Sequence, residues 1–300
     1  MQYIGLTGAS GLLGKHLIFL LLKKNYRVIA TSKKRPLIKH KNLIWKRMDL
    51  SKKLDNSKIK KIYKNVICLI HAGAFVPAPG QKKKLQQINQ INVFSTLKLA
   101  SWSKENNKHF IYISGSILYK KQNFKNKENS PILKKSESLY INSKILSERE
   151  LLYLNNNEFK IAILRISSLY GFGMNKKKII PNLIKKISLG KNITIYNNNK
   201  TEVNFIHAKD ASEAILKCIK HKKNGIFNIG GKKTLNFFKI ANMIKKEKHS
   251  ESKIFLKKDK FNKALNKLDV NIKKSKRILN WHPKIEFKKG LQMVINKQCL

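Results

Sequence analysis

Two short constellations in this chain have residue types and spacing that could do chemistry together. The first is Thr7-Gly8-Ala9-Ser10-Gly11-Leu12-Leu13-Gly14. Gly8 permits a tight turn, Gly11 lets a pyrophosphate approach the backbone, and Gly14 lets a following helix pack closely on a sheet. Free amides at the helix start, those of Ser10 and Leu12 included, then face the phosphates. An apolar run before the glycines and an amphipathic helix after them separate this cluster from a chance triplet. The second constellation is Tyr140 and Lys144, four residues apart and therefore on one face of a helix. A phenol titrates at about 10, too high for a base at neutral pH, and a neighbouring ammonium stabilises the phenolate. Lysine is so common here that the pair takes its meaning from position, downstream of the phosphate turn and after a fifth strand.

The end of the second strand bears on which dinucleotide binds. NAD sites place a carboxylate there for the ribose hydroxyls, whereas this chain has Thr31-Ser32-Lys33-Lys34-Arg35. Either these cations favour the 2′-phosphate of NADP or the window is merely as basic as every other. Arg35 is the more informative because arginine is scarce. The expected cofactor is NAD or NADP, with NADP slightly favoured. Asp49 either accepts from the adenine amino group or caps a helix beginning near Ser51.

These groups need a scaffold. Tyr3 to Leu6, Arg27 to Thr31, Leu43 to Trp45, Val66 to Ile70, Phe110 to Ile113 and Ile161 to Leu164 read as strands. Leu12 to Lys23, Leu85 to Trp102 and Leu139 to Leu154 read as helices between them. The alternation predicts an α/β fold, a Rossmann-type doubly wound parallel sheet with helices on both faces and a ligand crevice where its halves meet. Residues 1–170 are the expected dinucleotide-binding domain. From 171 to 300 the pattern changes to helices at Ile179 to Leu189 and Ala211 to Ile219 and short strands at Ile193 to Tyr196 and Ile226 to Ile229. This predicts a smaller substrate-binding lobe with segments returning to the main sheet. Lys120 to Asn129, Asn197 to Lys200 and Lys257 to Lys267 read as solvated stretches.

With 300 residues, 42% of them apolar, the chain can bury a core, which excludes a disordered protein. The net charge of +49 would ordinarily suggest nucleic acid or membrane. Only Arg27, Arg35, Arg47, Arg149, Arg165 and Arg277 are arginine, however, and the lysines are scattered among Asn and Ile. That is compositional drift, so no nucleic-acid partner is expected. Cys68, Cys218 and Cys299 lack any paired or metal-like spacing, so neither disulfides nor a metal site is expected. Leu17 to Leu22 is too short to span a bilayer, and the glycine cluster stands where a signal peptide would be apolar. The expectation is a cytoplasmic protein without a membrane partner.

At this point the sequence resembles the extended short-chain dehydrogenase/reductase family, the NAD-dependent epimerase/dehydratase group that acts mostly on nucleotide sugars. The resemblance covers nearly the whole chain. It rests on Thr7 to Gly14, His71-Ala72-Gly73-Ala74, Asn92-Val93, Tyr140-Ile141-Asn142-Ser143-Lys144 with Glu148, Leu164-Arg165, Leu169-Tyr170-Gly171, Phe205-Ile206-His207 with Asp210, Phe227 to Gly230, Trp281-His282-Pro283 and Gly290-Leu291. It implies that Gly8, Gly11 and Gly14 bind the pyrophosphate, that Asp49 and Leu50 meet the adenine side, and that Ala72, Gly73 and Ala74 line the inner half of the cofactor. It implies that Tyr140 exchanges a proton with the sugar while the nicotinamide exchanges a hydride, and that Lys144 holds the nicotinamide ribose and depresses the Tyr140 pKa. Arg165 and Ser168 are implied at the substrate, although Arg165 can equally pin the sheet end to the lobe. His207 reads as structural, and a homodimer through the Leu85 and Tyr140 helices is implied.

The match breaks in two places. The family's Ser or Thr after the fifth strand falls on Gly115, leaving Ser114 or Ser116 to supply the hydroxyl, with Ser116 slightly preferred. An Arg that grips the substrate diphosphate falls on Val203, with Lys200 or Lys209 as replacements. The expected function is therefore an NAD(P)-dependent epimerase or reductase of a nucleotide sugar. The alternatives are a cofactor-binding protein with little catalysis and a reductase of a small non-nucleotide carbonyl.

Overall fold

In the computed structural model, which describes residues 3–77, 84–120, 124–156, 158–196, 201–257 and 266–297, the strands in chain order are β1 (Tyr3–Thr7), β2 (Arg27–Ser32), β3 (Leu43–Arg47), β4 (Val66–His71), β5 (His109–Gly115), β6 (Ile161–Ile166), β7 (Ser168–Tyr170), β8 (Ile193–Tyr196), β9 (Thr201–His207), β10 (Gly225–Ile229), β11 (Thr234–Leu235), β12 (Ile254–Lys257) and β13 (Asn266–Leu268). The helices are α1 (Leu12–Lys23), α2 (Asn56–Tyr63), α3 (Leu85–Asn89), α4 (Ser95–Glu105), α5 (Leu139–Leu154), α6 (Ile179–Ser188), α7 (Ala208–His221), α8 (Phe237–Glu247), α9 (Lys273–Leu279) and α10 (Phe287–Ile295). Seven strands form one parallel sheet in the order β10-β6-β5-β4-β1-β2-β3, so the winding reverses between β1 and β4. Thr7 pairs with Thr31 on one side and His71 on the other. The segments that follow β1, β2 and β4 therefore leave the sheet along one edge, at the switch point where such sheets bind ligands.

Near-continuous apolar strands fit a sheet buried on both faces. Leu17 and Leu21 of α1, Ala214 and Ile215 of α7 and Trp281 cover one face. Tyr63 of α2, Leu99 and Trp102 of α4 and Leu151 of α5 cover the other. A third core, with Ile180, Leu183, Phe205, Ile240 and Leu291, joins α6, α8, β9 and α10. Trp281 donates its indole N–H to the Asp210 carbonyl (3.0 Å), docking the C-terminal segment on α7. Among the described residues no helix is long and apolar enough to cross a membrane.

Two sequence expectations need correction. The helix expected over Leu85 to Trp102 is interrupted by a π turn at Gln90–Phe94. The amide of Asn92, inside that turn, brackets the Phe75 backbone (Nδ2 to O, 3.1 Å; N to Oδ1, 2.7 Å) and donates to Ser143 of α5 at 2.9 Å. The Asn92 carbonyl accepts from the Thr96 and Ser147 hydroxyls, so a widened turn gains side-chain bonds. The second correction concerns Lys120 to Asn129, where Asn126 is fully buried, bonding Asp269 O through its amide N–H and side chain and accepting from Asn228 Nδ2. Residues 121–123, Asn197 to Lys200 and most of Lys257 to Lys267 lie outside the described residues.

Arg165 pins α5 to β6. Its guanidinium meets both Glu148 oxygens (2.7–3.2 Å) and donates to Glu128 O at 3.0 Å, with both side chains buried. Removing one partner would leave an unpaired charge in the interior. Arg165→Leu is expected to destabilise the protein by about 3–5 kcal/mol, read from the urea midpoint, and a loss below about 1 kcal/mol would place the pair among weak surface bridges.

Candidate functional site

The phosphate turn closes over the end of β4. Gly8 has φ +73°, and a Cβ there would stand 2.6 Å from the Ala72 carbonyl oxygen, so only glycine fits. A Cβ on Gly14 would collide with the Gly8 carbonyl oxygen. Gly11, by contrast, has ordinary extended backbone, and its Cβ would meet nothing nearer than Gly8 O at 3.2 Å. The helix start beside it has no side-chain cap and no acid in its first turn, leaving its amides for an outside anion. The Gly11 amide is taken by Gly8 O (2.9 Å), and the half-buried Ser10 and Leu12 flank exposed Gly11 in a cradle that fits a dinucleotide pyrophosphate. Leu50 closes on Gly73, where a Cβ would stand 2.6 Å from Leu50 Cδ1, so Leu50, Gly73 and Gly8 share one wall between the half-buried Ala72 and Ala74.

A buried chain of hydrogen bonds fixes that wall. Thr96 gives its proton to Asn92 O (2.6 Å), so it accepts from His71 Nε2 (2.9 Å). His71 Nδ1 then accepts from Thr7 Oγ1 (2.8 Å), which in turn accepts from the Gly73 amide (3.0 Å). Burial pushes His71 down to about 3, which keeps the ring neutral.

Beyond the end of β3, Asp49 accepts from the Ser51 hydroxyl (2.7 Å) and amide (3.0 Å) and pairs with Lys33 (3.1 Å). The Ser51 bonds, with Lys33 behind them, hold its carboxyl down at about 2. Asp49 does not cap a helix at Ser51; α2 begins at Asn56, capped by Asp55 through the Lys58 amide (2.7 Å). Arg35 is exposed, with its guanidinium 5.9 Å from the Trp45 ring centroid.

The Tyr140 and Lys144 pair sits in the first half of α5, whose first turn is capped by Ser138. Lys144 is buried; Nζ donates to the Ile113 carbonyl of β5 (2.8 Å) and lies 4.5 Å from the Tyr112 ring centroid. Burial pulls it down to about 8, with the Glu148 carboxylate opposing. The half-buried Tyr140 phenol is pushed up to about 12 by burial. In the protein alone burial outweighs any stabilisation of the phenolate by Lys144, so the phenol holds its proton. The Lys144 ammonium rests on a carbonyl and a ring.

At the end of β5, Gly115 is extended (φ −141°, ψ 145°), and a Cβ would find nothing nearer than 3.5 Å. Ser114 shares the face of Tyr112 by strand alternation, but its Oγ is sealed from solvent without a hydrogen-bond partner. Ser116 opens the short 3-10 turn Ser116–Leu118. Arg165 is held on Glu148 and Glu128, while Ser168 is exposed on β7 beside β9. Val203 packs against the third core. His207 is structural, accepting the Lys209 amide at the start of α7 (3.2 Å) and lying edge-on to Tyr170. Sequence reasoning missed Lys178, which donates to Pro77 O (2.7 Å) and ties the loop after β4 to α6. Among so many lysines nothing marked it.

Residues 4–230 match the NAD dependent epimerase/dehydratase family. A putative UDP-glucose 4-epimerase of Methanocaldococcus jannaschii is 27% identical over 97% of this chain and 96% of its own length. The dTDP-D-glucose 4,6-dehydratase of Homo sapiens is 26% identical over 96% of this chain and 87% of its own. Among solved structures, UDP-glucuronic acid 4-epimerase from Bacillus cereus in complex with NAD shares the fold, with TM-score 0.85 at 23% identity over 99% of this chain and 98% of that one.

Gly11 gives a test of the cradle, its Cβ position lying 3.2 Å from Gly8 O. Gly11→Ala is expected to cost about 0.5–2 kcal/mol of stability while weakening dinucleotide binding of the folded protein at least about tenfold, measured by fluorescence titration. Unchanged affinity would remove the phosphates from this turn.

Proposed function

The chain belongs to the NAD dependent epimerase/dehydratase family, an extended short-chain dehydrogenase/reductase enzyme that binds NAD(P), and we propose that it epimerises a nucleotide sugar at a carbinol carbon. The observation that carries this reading is the placement of Tyr140 and Lys144 on α5 against β5, at the sheet edge that also holds the glycine turn. When bound, the nicotinamide supplies a hydride acceptor or donor and, when oxidised, a positive charge. Ser10, Gly11 and Leu12 would hold its pyrophosphate, and Leu50 and Ala72 to Ala74 its flanks. Tyr140 takes the hydroxyl proton as the carbinol is oxidised and returns a proton when the ketone is reduced from its other face. Ser116, at the start of the turn after β5, would hydrogen-bond the reacting oxygen. Elimination of water would need a further acid and base on the sugar, and the turn Gly115-Ser116-Ile117-Leu118 carries neither, which favours epimerisation over dehydration.

A second reading, an NADPH-dependent ketone reductase, is favoured by two observations. Lys33, Lys34 and Arg35 are exposed where NAD sites keep a carboxylate, and the Tyr140 phenol rests protonated, ready to donate. The buried free thiols of Cys68 and Cys218 support a reducing compartment, the cytoplasm. Residues beyond 170, apart from α7, β10 and the α9 to Trp281 segment, which belong with the main sheet, would form the substrate-binding lobe.

The enzyme, given nucleotide sugars with NAD or NADPH, is expected to turn over, and Tyr140→Phe is expected to abolish turnover while leaving cofactor affinity within several-fold. Product formed without net cofactor change supports epimerisation, and stoichiometric NADPH loss supports reduction. Full activity in the variant would overturn both. Phe94 beside α4 and Tyr153 on α5 are 57% and 80% exposed, which supports a homodimer through these helices. Sedimentation is expected to give a dimer that Tyr153→Lys weakens, and a monomer at all concentrations would remove this inference.

A further inference from the structure

Lys144 carries a charge in a place where charge is costly. It is 3% exposed, and no carboxylate among the described residues lies within ion-pair distance of its Nζ. The nearest acid on its own helix, Glu148, is committed to Arg165 through contacts of 2.7–3.2 Å. Two groups face the ammonium directly: the Ile113 carbonyl at 2.8 Å and the ring of Tyr112, whose centroid is 4.5 Å away. A backbone carbonyl is present on any strand. The aromatic face is a choice of sequence, and a buried cation gains more from such a face than an exposed one.

We propose that Tyr112 is a positioning residue for Lys144, its ring face holding the ammonium charged and in the place from which it acts on Tyr140. The inference rests on reading Lys144 as the ammonium that stabilises the Tyr140 phenolate during the proposed reaction, and adds a residue to it. The other groups around Lys144 agree with this role. Tyr140 and Glu148 share its helix, Arg165 on β6 neutralises Glu148, and His71 on β4 stacks against Tyr112 (6.0 Å, 18°). His71 is bonded through both ring nitrogens to threonine hydroxyls and stays neutral, so no second cation competes for the ring. Burial has already brought Lys144 down to about 8. A weaker ring would bring it lower still.

The sign follows directly. Lys144 acts only while protonated, so lowering its pKa moves the alkaline limb of the activity profile to lower pH. Tyr112→Phe keeps the face and is expected to change neither. Because Tyr112→Leu opens a cavity in the core, the decisive series places phenylalanine and its progressively fluorinated analogues at position 112. Fluorine withdraws electron density from the ring face at nearly constant shape. Lys144 is titrated in the cofactor-free protein by NMR with carbon-labelled lysine, its signal assigned by its loss in Lys144→Arg.

The expected result is a Lys144 pKa that falls stepwise with fluorination, by roughly half to one and a half units in all, with the alkaline limb following. Variants that melt like the parent yet leave the Lys144 titration unchanged would overturn the proposal. The titration needs no turnover, so it separates this inference from the assigned activity. A falling Lys144 pKa in a protein that never reduces or oxidises a nicotinamide would sink the enzyme reading and keep the ring effect.

Discussion

Keeping one ammonium charged inside the protein is the constraint around which this site is arranged. Lys144 loses its water in the interior, and a carbonyl, a ring and a distant carboxylate together replace it. Each of those groups must then be held still. β5 supplies the Ile113 carbonyl and the Tyr112 face because its parallel partners β4 and β6 fix its register. α5 supplies Lys144, and two interior contacts set its height over the sheet: Arg165 with Glu148 toward β6, and Asn92 with Ser143 toward the π turn.

The same logic joins the two halves of the chemistry. Asn92 is bonded to α5, to the Phe75 backbone and, through Thr96, to the His71 and Thr7 chain that anchors Gly73 beneath the glycine turn. A dinucleotide seated on that turn and a phenol on α5 thus refer to one rigid frame. Every donor in the chain has an acceptor, which is what a buried polar network requires if it is to fix geometry.

Much of this was legible in the sequence, for physical reasons. The strands of the main sheet are buried on both faces and read as apolar runs, and the glycine turn tolerates no other residue at Gly8 or Gly14. Tyr140 and Lys144 were visible because helical spacing puts them on one face. What stayed hidden depends on partners distant in sequence. For Arg165 the sequence left a substrate contact and a pin at the sheet end both open, with no sign of its ion pair to Glu148; for Asp49 it left an adenine contact and a helix cap open, with no sign of its pair with Lys33. The π turn leaves almost no mark in hydrophobic periodicity. In a chain with this excess of lysine and asparagine, composition also masked residues with fixed roles, Asn126 and Lys178 among them. Tyr112 looked like one more core aromatic, because nothing in the sequence says which cation lies over its ring.

The central claim is that a hydride, and never a proton, leaves the substrate carbon while Tyr140 handles the proton of its oxygen. The direct measurement is turnover of a nucleotide hexose carrying deuterium at the reacting carbon, with the product analysed by NMR in ordinary water. Epimerisation by this site predicts deuterium retained at that same carbon, slower turnover than with the unlabelled sugar, and transient appearance of the near-ultraviolet band of reduced nicotinamide. Deuterium washed out into solvent, with no reduced nicotinamide at any time, would contradict the account.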